Sequence, residues 1–98
     1  MSFEQALSTS LAAAVGDDQA LVAELHGAFL QSATKHLETM QGAAGDADWR
    51  EAALRLKGLA ASFGATVLMA VAGHAAESRR GDAQALADVE HSLAALSF

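Results

Sequence analysis

The sequence predicts an all-α fold: an antiparallel four-helix bundle with up-down-up-down connections and a short N-terminal lid helix. Three observations carry this. Apolar residues recur at three- and four-residue spacing along nearly the whole chain, which at about 100° per residue gathers them on one side of a helix. No proline interrupts these segments, and the breaks between them are short glycine- and aspartate-rich clusters of the kind that close tight helix-to-helix turns. The 98 residues, 52% of them hydrophobic, supply one core and so one domain, 1–98, with the lid over 1–15 and the bundle over 17–96.

The elements follow in chain order. Ser2 and Gln5 have capping-box spacing, and Phe3, Leu7, Leu11, Ala14 and Val15 form an amphipathic stripe that Gly16 closes; this is the lid, packed across one end of the bundle. Asp17 and Asp18 are N-cap residues for the second and longest helix, whose apolar face is Leu21, Val22, Leu25, Ala28, Phe29, Ala33, Leu37 and Met40. Gly42 to Gly45 break that pattern. Asp48 and Glu51, again at capping-box spacing, open the central helix, and its core side is Trp49, Ala52, Ala53, Leu56, Leu59, Ala60 and Phe63. Gly64 suits a left-handed C-terminal cap, and Thr66 starts the next helix, with Val67, Leu68, Val71, Ala72 and Ala75 inward. Glu77, Arg79 and Arg80 lie near its polar end, the arginines complementing the helix dipole, and Gly81 stops it. Asp82 caps the last helix, with Leu86, Val89, Leu93 and Leu96 down one side.

Composition excludes several classes of function. Twelve acidic residues against six basic ones give a formal charge of −6, which repels a phosphate backbone, so no nucleic-acid partner is expected. The apolar runs are far shorter than the roughly 20 residues that span a bilayer, so no membrane partner is expected either. The chain has no cysteine, hence neither disulfide nor thiolate metal site, and no basic-then-apolar N-terminal leader; a cytoplasmic, bacterial-type setting is the reading. Inward-facing Glu and Glu-x-x-His sets of a bundle metal site are missing, as are a catalytic Ser/His/Asp order and a phosphate-cradling glycine loop. The expectation is therefore a non-enzyme without cofactor or metal, and a monomer.

The central helix carries a second feature besides its core side. Leu54 lies roughly 160° from Leu56 on the helical wheel, with Gly58 and Ala61 beside it, so these residues look away from the core. Three of the six basic residues, Arg50, Arg55 and Lys57, sit on the same helix and give an acidic protein one locally positive face, suited to an acidic partner. Gly58 within a helix costs about 1 kcal/mol relative to alanine and is retained for packing or for close approach from outside.

The run LRLKGLAASFGA from Leu54 to Ala65 resembles the signature HxLKGxAxxxGA of histidine-containing phosphotransfer (HPt) domains. The resemblance extends from about Asp17 to Leu96 and includes the acidic start of the second helix, the GDADW lead-in and the RRGD turn. Lys57 and Gly58 match the family's lysine and glycine; Leu54 stands where the family has its phosphoacceptor histidine. The resemblance implies a two-component signalling module that docks the receiver domain of a response regulator, or a histidine kinase, without relaying phosphate. Its partner-binding residues would be Leu54, Lys57, Gly58, Ala61, Arg50 and Arg55, with no catalytic residue.

Two other readings stay open. A phosphocarrier would use another histidine or be a His-to-Leu variant of an active protein; none of His26, His36, His74 and His91 is followed by a lysine three residues on with a glycine after it, and His74, the most exposed on the wheel, is the one to test. A plain helical oligomerisation module would place Leu54 in a self-contact.

Overall fold

Each helix in this protein starts or stops where a specific backbone group finds a partner. The structure, a computed structural model, describes residues 18–97; the expected lid over 1–15 lies outside them. Within that range run α1 (Gln19–Gln41), α2 (Asp46–Ser62), α3 (Thr66–Ala76) and α4 (Ala83–Leu96), and no strand. Asp18 caps α1, its carboxylate accepting the Leu21 N–H at 3.0 Å, and Asp82 caps α4 by accepting the Ala85 N–H at 2.8 Å. Both are the residues the sequence marks for the task. At the end of α2 the Ala65 N–H reaches the Ala60 carbonyl at 2.9 Å and the Gly64 N–H reaches Ala61 at 3.2 Å. Gly64 at φ +71° supplies the left-handed turn that this pair of bonds requires.

Two boundaries differ from expectation. The start of α2 is Asp46, with Gly45 at the cap and no side-chain capping bond, so the Asp48–Glu51 capping box does not form. A tertiary bond takes its place: the Asp46 carboxylate accepts the Arg80 backbone N–H at 2.7 Å, and the Arg80 guanidinium donates to the Ala43 carbonyl at 3.3 Å. The second difference has a local origin. Helix α3 stops at Ala76, five residues before Gly81, because Glu77 and Ser78 fold back onto the His74 and Ala75 carbonyls. Arg79 and Arg80 therefore belong to the turn and not to the helix end.

The four helices close a ring in which α2 packs on α1 and α3, and α4 packs on α3 and α1. Its interior is Trp49, Phe29, Met40, Leu56, Leu68, Leu96 and Val89, all fully buried. Alanines at 33, 53, 60, 72 and 75, fully buried, let the backbones approach closely. Trp49 donates its indole N–H to the Ala75 carbonyl at 2.7 Å, which ties α2 to α3 and satisfies a polar atom in the core. His26 is also buried and donates from Nε2 to the Leu96 carbonyl at 2.8 Å, capping the C-terminal end of α4 from α1.

The inward stripe of α1 is shorter than expected. Leu21 and Ala28 are exposed, and Val22 and Leu25 only half-buried. The bond from His26 to Leu96 marks where α4 ends, and residues before it on α1 run beyond α4 at about 1.5 Å each. Leu59 and Phe63, expected in the core of α2, are half-buried at its margin, where the Phe63 ring lies 4.9 Å from that of Phe29.

Candidate functional site

Because α2 is held on both flanks, by α1 and by α3, one strip of its surface is left facing outward. Leu54 is at the centre of that strip and 43% exposed; among the large hydrophobic side chains of the described residues only Leu21, at 39%, is comparable. Arg50, Gly58 and Ala61 are exposed with it. A shallow depression of about 450 Å³ runs over Ala47, Arg50, Glu51, Leu54 and Arg55. Nothing within 4 Å would meet a Cβ placed on Gly58, so no internal packing demands a glycine there. Gly27 on α1 is equally open, which means that openness alone does not single out a face. What distinguishes Gly58 is its position one turn from an outward leucine and among three cations.

Those cations are not equivalent. Arg55 is committed to Glu51 one turn back at 2.7 Å, with both side chains largely in solvent, an arrangement worth a few tenths of a kcal/mol. Arg50 and Lys57 make no hydrogen bond or ion pair among the described residues. Lys57 leans away from α1: its Cδ and Cε lie 3.4 and 3.5 Å from the point where a Cβ on Gly73 of α3 would stand.

On the opposite flank, a hollow of about 320 Å³ between α1 and α2 is lined by His36 and Thr39 on one side and Asp48, Glu51 and Arg55 on the other. It shares Glu51 and Arg55 with the Leu54 depression. Partial burial, then the charges of Arg55 and Lys35, hold the His36 imidazole below its ordinary pKa of 6.5. His74 and His91 are exposed. Among the described residues no group of three or more His, Cys, Asp and Glu side chains gathers to hold a metal ion, and no helix is long and apolar enough to cross a membrane.

All six residues that the sequence places on the outer face, Arg50, Leu54, Arg55, Lys57, Gly58 and Ala61, are exposed on α2. Sequence reasoning missed Gly73, a glycine in a short alanine-rich helix with no motif around it. Its only legible signal was the cost of a glycine inside a helix. Compared with protein-family models, curated proteins and solved structures, the chain finds no match.

Proposed function

We propose that this chain is an HPt-like module of two-component signalling that docks a receiver domain or a histidine-kinase partner through the outer face of α2 and carries no phosphoryl group there. One observation carries the reading: where the resembled family has an imidazole, an outward leucine, 43% exposed, stands beside open Gly58 and within reach of uncommitted cations. Leucine has no nucleophilic atom, so phosphoryl transfer at this position is chemically closed. Its side chain is an apolar contact that a partner can bury, surrounded by charge that favours an acidic surface over a basic one.

The experiment is calorimetric titration of the 98-residue chain with purified receiver domains from its source, each with and without a beryllofluoride mimic of the aspartyl phosphate. Binding by at least one is expected. Burying a leucine is worth about 1.5–3 kcal/mol, so Leu54→Ala should weaken binding by about ten- to a hundredfold. Leu54→His should take acid-labile label from a phosphorylated receiver while the wild-type chain takes none. Absence of binding across the receivers, or affinity indifferent to position 54, would defeat the proposal.

A further inference from the structure

The Leu54 face has two edges of different electrostatic character, and the difference comes from α3. On the α1 edge, Arg55 is already paired with Glu51 at 2.7 Å. At about 100° per residue, Arg50 and Lys57 fall within roughly 20° of each other on the opposite edge, and both lack partners among the described residues. A free lysine samples many rotamers and loses that freedom when it binds. Lys57 is not free in this sense. Its Cδ, Cε and Nζ lie 3.4, 3.5 and 3.7 Å from the point a Gly73 Cβ would occupy, so the stem rests in a trough that stays open because α3 carries no bulky side chain there. An apolar stem laid on a neighbouring helix with the ammonium still in water is a low-cost way of fixing a charge.

We infer that Gly73 is a positioning residue for Lys57, and that the Arg50–Lys57 edge over the α2/α3 seam is where the face receives the carboxylates of an acidic partner surface. This rests on the docking reading above and gives it a direction. The partner's apolar contact falls on Leu54 and Gly58, and its acidic groups fall toward α3, not toward the Glu51–Arg55 pair. The size of residue 73 becomes a determinant of affinity although it need not touch the partner. Alanine fits, since a Cβ at 3.4 Å is ordinary contact; a leucine would evict the lysine stem.

The test uses Gly73→Ala, Gly73→Leu, Lys57→Met and the Gly73→Leu/Lys57→Met pair in the full chain, with thermal melts to confirm folding. The chain has two lysines, Lys35 and Lys57, so reductive ¹³C-methylation gives one lysine signal at the site and one lysine signal as internal reference, besides that of the N-terminal amine. Gly73→Leu is expected to shift the Lys57 methyl signal and leave that of Lys35 in place. Against a receiver domain that binds the wild-type chain, Gly73→Leu should weaken affinity about tenfold, as Lys57→Met does, and flatten its dependence on salt. It should add nothing in the Lys57→Met background, and Gly73→Ala should bind within about twofold of wild type. An unmoved Lys57 signal overturns the inference. So does a loss of affinity that persists undiminished in the Lys57→Met background, which marks simple obstruction. If Leu54→Ala weakens binding while Gly73→Leu does not, the positioning role fails and the docking reading stands; if no receiver binds, both fall.

Discussion

Two helical glycines show where this protein forgoes stability that alanine would supply. Gly27 and Gly58 both sit inside helices with open space around them, so each forgoes about 0.5–1 kcal/mol that alanine would supply. Gly27→Ala and Gly58→Ala should therefore both raise the unfolding free energy measured in urea by that amount. If the proposed docking holds, only Gly58→Ala, which puts a methyl beside Leu54, should weaken binding to a receiver domain; equal binding by both variants would mean that the Gly58 gap serves no approach. Leu54 was legible as outward from the wheel alone, because a helix that buries Trp49, Ala53, Leu56 and Ala60 has no room on that side for a residue half a turn away. Gly73 was not legible. What it does depends on Lys57, sixteen positions earlier, and only the packing of α3 on α2 brings the two together.

At the scale of elements, starts and stops divide into those made locally and those made by a distant partner. Asp18, Gly64 and Asp82 act on backbone groups within five residues of themselves, so the sequence pattern located them. The start of α2 carries a long-range arrangement instead, the Arg80 backbone and guanidinium bound to Asp46 and Ala43, and there the local capping box was the wrong guide. That corner has a measurable worth. Asp46→Ala removes an acceptor for Arg80 and a negative charge from the N-terminus of α2, and should cost about 1–2 kcal/mol in urea unfolding. Asp46→Asn, which keeps an acceptor, should cost less. Equal costs would assign the effect to charge alone and leave the corner without a role.

The whole molecule inherits a pH dependence from the hollow between α1 and α2. His36 is held below 6.5 in the folded state by burial and by Arg55 and Lys35, so the unfolded chain binds the proton more readily. Stability from this site is complete above the unfolded value and is lost as pH falls through 6.5 toward the depressed folded value. Between pH 8 and pH 5, urea stability of the wild-type chain should therefore fall further than that of His36→Gln; parallel curves would remove His36 from the account. The bundle itself and the outward side of α2 follow from periodicity and turn chemistry, because the hydrophobic effect acts on any stripe of adequate width and short loops leave antiparallel neighbours as the available arrangement. Periodicity says nothing about how far one helix overruns another, which left Leu21 in solvent, nor about which buried polar atom meets which carbonyl, as Trp49 does at Ala75 and His26 at Leu96. Those pairings, like the seat of Lys57 on Gly73, join residues far apart in the chain, and their geometry exists only once the helices have packed.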